Sequence, residues 1–184
     1  MNHIMLDIET LGTGSHAAIM SIGAVKFDPS ASDLTIDGVI HSFYIPINLK
    51  SALKYGSVNA DTIEWWFNAD QTFARETWLS EPKIDLDEAL LAFADWYGDN
   101  PNVPVWGNGA PFDNVILRNA YTATGIDCPC SFRADSCFRT LKSQVLPPVD
   151  PPELIGAAHH ALDDAMHQAR WMQKIVNYRH LVVK

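Results

Sequence analysis

The stretch LDIET, Leu6 to Thr10, sets two carboxylates on either side of one isoleucine, inside a run from Met1 to Glu9 that otherwise reads as a buried β-strand. In a strand, residues two apart share a face, so Asp7 and Glu9 project together while Ile4, Leu6 and Ile8 point the other way. Each carboxylate then disfavours ionisation of its neighbour, which costs stability unless a cation joins them. The same pattern also suits a solvated strand face, so the stretch alone does not decide between a metal cradle and a wet surface.

The flanking sequence supplies the frame. Ala17 to Phe27 and Val39 to Ile47 read as two more strands, and their short links predict an antiparallel meander. After Asn59 as cap, DTIEWWFNA reads as a short helix, and Asp70 is expected to cap another reaching Leu79. Asp85 with Glu88 three later forms a capping-box pattern for a helix to Trp96. VPVWGN (Val103 to Asn108) reads as a strand, a helix from Pro111 to Thr124 follows, and FRADS reads as a last strand. Four prolines between Pro147 and Pro152 make a loop before a final helix from Ala161 towards Tyr178. Strands first, then helices and strands in alternation, predict an α/β class.

Composition narrows the function. With 184 residues, 47% of them hydrophobic, and no shift in composition, a single domain over 1–184 is expected. No run of eighteen apolar residues and no signal-peptide pattern is present, so no membrane partner is expected and a cytoplasmic location is. Cys128, Cys130 and Cys137 lack the paired spacing of a zinc site and are read as reduced thiols. A net charge of −9 argues against a broad basic surface gripping nucleic acid, so chemistry on such a substrate must rest on a local site.

More acids sit in apolar company. Asp113 lines up at helical spacing with Ile116, Leu117, Ala120 and Tyr121, and Asp164 shares a side with Ala161, Gln168, Trp171, Met172 and Ile175. Asp163 lies about a quarter-turn round and is expected to be a solvated first-turn acid. His159 stands five residues before Asp164, on a segment containing Gly156 that is read as mobile. His3, His16, His41, His160, His167 and His180 have no comparable setting. Four acids from three segments with one histidine suggest a hard cation such as Mg²⁺ or Mn²⁺ and metal-assisted phosphoryl chemistry.

At this point the residues resemble the DnaQ-like 3′-5′ exonucleases of the DEDDh type, in the RNase H-like superfamily. LDIETLG looks like the first motif, NGAPFDNVIL like the second with Asp113, and HHALDDA like the third with His159 and Asp164. DTIEWW and the GNGxxFDxxIL context are similar to the RNase T-like exoribonuclease domain and the phage exonuclease DexA group. The resemblance implies an RNase H-like exonuclease fold, a mixed five-stranded sheet whose first three strands are antiparallel, flanked by helices. It implies hydrolysis of terminal phosphodiesters at single-stranded DNA or RNA 3′ ends, with nucleoside monophosphate as product and two Mg²⁺ or Mn²⁺ ions roughly 3.5 to 4 Å apart. Asp7, Glu9 and Asp164 would hold one ion, Asp7 and a water-mediated Asp113 the other, and His159 would be the general base.

Thr10 and Leu11 are carried over as contacts to the terminal nucleotide. Trp65 or Trp66, at most one of which can face the cleft, and Phe112 are stacking candidates, and Arg139, near Arg133 and Lys142, is a phosphate candidate. An inactive RNase H-like module binding nucleic acid or a partner is the alternative, and a paired-carboxylate glycosidase ranks last because it leaves Asp113, Asp164 and His159 without a task. The choice of DNA or RNA, and of monomer or homodimer, is left open by the sequence.

Overall fold

The computed structural model of the protein describes residues 3–179. In chain order the elements are β1 (His3–Thr10), β2 (Ile19–Phe27), β3 (His41–Pro46), α1 (Leu49–Ala52), α2 (Ala60–Phe67), α3 (Thr72–Ser80) and α4 (Leu86–Tyr97). They continue with β4 (Val105–Gly107), α5 (Asp113–Thr124), β5 (Asp135–Cys137), α6 (Phe138–Ser143) and α7 (Ala161–Arg179). The five strands form one sheet in the order β3-β2-β1-β4-β5. β1, β2 and β3 pair antiparallel, whereas β4 and β5 join β1 in parallel. This is the mixed sheet that the family resemblance implies, with the antiparallel meander that the strand pattern predicts.

The central strand is covered on both sides, which explains its nearly unbroken apolar run. Ile4, Leu6 and Ile8 pack in one core layer with Leu90 and Phe93 of α4 and Leu117 and Tyr121 of α5. Met5, Val25 and Phe27 face the opposite layer with Phe138 of α6 and Met172 and Ile175 of α7. Asp7 shares the face of Met5, by strand alternation, and therefore points at the side that α7 covers.

Gly23 sets how closely α7 approaches. It pairs with Asp7 across the β1–β2 ladder. A Cβ placed on it would lie 2.2 Å from the Ala161 carbonyl carbon and 2.3 Å from the Leu162 nitrogen. Only a residue without a side chain lets the helix start against the strand, and that contact brings the first turn of α7 over the acids of β1.

Several local expectations are corrected. Asn68, not Asp70, supplies the cap before α3: its side chain accepts the Asp70 N–H at the start of a 3₁₀ turn over Ala69–Gln71. Asp85 stands at the N-cap of α4 without a side-chain bond, because Ser51 Oγ reaches across from α1 and accepts the Leu86 N–H at 2.9 Å. Pro111 precedes α5 rather than opening it. FRADS divides into a 3₁₀ turn over Phe132–Ala134 and the strand β5, and the helices α1 and α6 are additional to those read from the sequence. The third strand is shorter than Val39 to Ile47, and Ile47 bridges to Ile84 instead. Met1, Asn2 and His180 lie outside the described residues. Among the described residues, no helix is long and apolar enough to cross a membrane.

Candidate active site

Four carboxylates from three elements converge at the carboxyl end of β1. Asp7 and Glu9 come from the strand, Asp113 opens α5, and Asp164 lies in the first turn of α7. Asp113 has room because β4 ends in glycine: a Cβ on Gly107 would lie 2.8 Å from Asp113 Oδ2 and 2.5 Å from Asn114 Oδ1. Asp7, Asp113, Asp164 and His159 line one cavity of about 420 Å³ together with Glu9, Asn108, Phe112, Arg139, His167, Gln168 and Trp171. Gln168, one turn beyond Asp164, donates Nε2–H to Asp7 Oδ1 at 2.8 Å.

The electrostatics are those of acids crowded away from water. Burial, then the charges of Asp113 and Asp164, hold the Asp7 carboxyl well above the ordinary range. Glu9 is likewise held well above it by burial and by Asp7, Asp164 and Asp113. Burial raises Asp113 to about 7 against backbone N–H groups and Arg139, which pull it down, and burial also raises Asp164. The side-chain oxygens of Asn108 and Gln168 are buried with no hydrogen-bond partner among the described residues. Oxygen donors in excess, unpaired and mutually repelling, fit a hard divalent cation, which would supply the missing positive charge.

The tightest grouping is Glu9, His159 and Asp164, whose ligand atoms lie within 4.8 Å of one another. His159 is placed there by its backbone. It adopts φ +62°, in the left-handed region, and its N–H donates to Asp164 Oδ2 at 2.8 Å. Its ring meets Trp65 edge-to-face at 4.8 Å. The histidine is thus set at the carboxylates, at the end of the segment that the sequence reads as mobile.

Asp163 is a second correction. It is not a solvated acid: its Oδ2 accepts the Ala157 N–H at 2.9 Å and lies 3.3 Å from His160 Nδ1. His160 in turn packs on Tyr44 at 4.3 Å between ring centroids. The first turn of α7 therefore ties down the loop that carries His159.

A neighbouring pocket of about 450 Å³ shares Ile8, Glu9 and Phe112 with the first and is closed by Thr10, Thr13, Asn59, Asp61, Thr62 and Trp65. Of the two tryptophans, Trp65 is 39% exposed and lines this pocket, while Trp66 is 5% exposed. Trp66 does not face the cleft; its Nε1–H donates to the Thr10 carbonyl at 2.9 Å and secures the end of β1. The Thr10 hydroxyl donates to Gly12 O at 2.6 Å, and Leu11 is buried in the core outside both pockets. Phe112 stands between the two pockets, and Arg139 lines the one that holds the acids. Sequence reasoning missed His167, Gln168 and Asn108 as lining residues. The one signal was the spacing of Gln168 four after Asp164, which puts both on one face of α7.

The fold has counterparts among solved exonuclease structures. The fold matches cell-death related nuclease 4 (CRN-4) with a TM-score of 0.62 and 14% identity over 96% of this chain and 64% of that one. It matches E. coli Exonuclease I in complex with a dT13 oligonucleotide with a TM-score of 0.64 and 14% identity over 97% of this chain and 42% of that one. The profile of the 3′-5′ exoribonuclease Rv2179c-like domain matches residues 2–176, and the chain belongs to that family. It is also 27% identical, over 123 residues, to the Exodeoxyribonuclease of Enterobacteria phage T4, an alignment that takes in 64% of this chain and 54% of the phage protein. The chain thus spans less than two-thirds of each of these three relatives.

Proposed function

We propose that residues 1–184 form one metal-dependent 3′-5′ exonuclease domain that hydrolyses the terminal phosphodiester of single-stranded nucleic acid and releases nucleoside 5′-monophosphates. The observation that carries this reading is the convergence of four carboxylates with raised pKa values from three separate segments, with His159 beside them. Asp7, Glu9 and Asp164 would hold one divalent ion, and Asp7 with a water-mediated Asp113 a second. Mg²⁺ or Mn²⁺ so held would activate water and neutralise the phosphate.

The chain's own groups do the rest. His159, within 4.8 Å of Glu9 and Asp164 in ligand-atom distance, is placed to take a proton from water held on those acids. Trp65 and Phe112, which both line the neighbouring pocket, offer aromatic surface to the terminal base, a contact worth about 1–3 kcal/mol and tolerant of base identity. Three free thiols suit a reducing, cytoplasmic setting.

Asp163 gives one check on how the base is held. Asp163→Ala leaves the Ala157 N–H without its acceptor and is expected to lower turnover about tenfold. Asp163→Asn keeps a side-chain oxygen at that position and is expected to stay within about twofold. Steady-state kinetics on both variants reads the difference.

The pH dependence of stability gives another. A carboxyl whose folded pKa is raised contributes stability below its unfolded pKa that is lost as pH rises through the folded value, about 7 for Asp113. In chelator the melting temperature is therefore expected to fall from about pH 5 to about pH 8, and Mg²⁺ to restore most of the loss at the upper end. Thermal melts at matched ionic strength read this directly.

The family's description and the phage relative's name differ over RNA and DNA. A time course on matched single-stranded RNA and DNA labelled at the 5′ end, with Mg²⁺ and with Mn²⁺, tests polarity and substrate together. Ladders shortening one nucleotide at a time support the proposal. Internal cuts, or no cleavage of either strand, overturn it.

A further inference from the structure

We propose that Cys128 and Cys130, in the CPC segment that follows α5, form a redox site: a dithiol that small-molecule disulfides convert to an intramolecular disulfide and small-molecule thiols restore. The pair lines neither pocket of the cleft, and the inference does not depend on the exonuclease reading.

The two sulfurs stand 3.3 Å apart, within hydrogen-bond reach of one another. Pro129 separates them, and its ring fixes one of the few backbone torsions by which they could swing apart. Both ends of the segment are pinned. The Ile126 N–H donates to the Tyr121 carbonyl at 3.1 Å, and the Ser131 N–H donates to the Pro101 carbonyl at 2.8 Å. The partners meet solvent unequally: Cys128 is half-buried, whereas Cys130 is 8% exposed and belongs to the core layer shared with α4 and α5. One sulfur is open to a reagent, and the other is sheltered beside it.

Arg118 helps to separate their roles. From α5 its guanidinium donates to the Cys130 carbonyl at 3.0 Å and to Asp135 Oδ1 at 2.8 Å, and this bracing sets it 3.8 Å from Cys128 Sγ and 4.0 Å from Cys130 Sγ. The hydrogen bond from Cys130 and the charge of Arg118, working against burial, bring the Cys128 thiol down to about 7, while the same hydrogen bond and burial push Cys130 up. Cys128 is thus the thiolate and Cys130 the thiol that waits on it.

The exchange balances without further groups. The Cys128 thiolate attacks one sulfur of a disulfide RSSR and expels RS⁻, which takes a proton from water. Cys130 then attacks Sγ of Cys128 and expels the second RS⁻, which takes the proton that Cys130 gives up. Two electrons pass from the cysteine pair to RSSR, leaving one protein disulfide and two RSH.

Glutathione disulfide is the probe, with iodoacetamide added in denaturant to fix the remaining thiols and mass spectrometry of the tryptic peptide Asn119–Arg133, which holds both cysteines. The wild-type peptide is expected to lose two hydrogens, carry no glutathione, and regain both thiols in dithiothreitol. Cys130→Ala should instead trap Cys128 with one glutathione attached, and Cys128→Ala should leave Cys130 unmodified. The pH profile of Cys128 alkylation by iodoacetamide adds a readout that packing alone would not move. In the wild type its midpoint should lie at about 7. In Cys130→Ala, which removes the S–H donor, it should rise by about one unit, making the reaction about fivefold slower at about pH 7. A wild-type peptide that keeps both thiols, a glutathione adduct that persists on Cys128 with Cys130 present, or a profile unchanged in Cys130→Ala would each overturn the site.

Discussion

Replacing Asp7 with Asn is expected to lower kcat by at least about a thousandfold and, at the same time, to raise the melting temperature of the metal-free protein. The two effects have one origin. Asp7 is half-buried near Asp113 and Asp164, and its carboxyl is held well above the ordinary range by loss of water and by those charges. At neutral pH, without a cation, folding confines charges that the unfolded chain would leave in water. Asparagine removes one of them and keeps an oxygen to accept from Gln168, which now donates to Asp7 Oδ1. The variant relieves repulsion and gives up a charged metal ligand together. Glu9→Gln and Asp164→Asn should behave alike, more mildly in stability for Asp164, whose N-terminal position on α7 and bond from the His159 N–H already favour its charge. Paired measurements of turnover in Mg²⁺ and thermal melting in chelator are needed. A variant that loses both activity and stability would show the acids to be structural.

Gly23→Ala is expected to destabilise the protein by about 3 kcal/mol, a fall in melting temperature of about 6–12 °C for a chain of this size. The added methyl would lie 2.2–2.4 Å from backbone atoms of Ala161 and Leu162, and backbone cannot rotate away as a flexible side chain can. α7 would have to lift from β2 at the end that carries Asp164. Activity should therefore fall further than the unfolded fraction accounts for, because Asp7 and Asp164 would no longer meet. Circular dichroism melts with activity assayed well below the transition separate the two losses.

The site was more legible in the sequence than the devices that hold it. Asp7 and Glu9 show themselves by period-two spacing inside an apolar strand, and Asp113 and Asp164 by falling on the apolar faces of their helices. Each is a local pattern, and each is where the structure brings the acids together. The α/β class and the antiparallel order of β1, β2 and β3 followed from the same periodicities, while the five-stranded mixed sheet is what the family resemblance implies. What escaped depends on partners distant in the chain. Gly23 within IMSIGAVKF reads only as a weak point in a strand, since the helix that needs its missing side chain starts at Ala161. Asp85 carries the capping pattern, yet Ser51, from another helix, makes the bond. Asp163 looks like any first-turn acid until the loop at Ala157 folds onto it. Trp65 and Trp66 are indistinguishable by type, and only the docking of α2 against the end of β1 turns Trp66 inward.

The central claim is that the acids of β1, α5 and α7 form one cation cradle. Anomalous diffraction from crystals soaked in Mn²⁺ tests it most directly. The account predicts two manganese peaks, one bounded by Asp7, Glu9 and Asp164 and one on the Asp7–Asp113 side, both lost in Asp7→Asn crystals. Manganese bound elsewhere, with this cleft empty in crystals of an enzyme that degrades single strands in the same buffer, would contradict it.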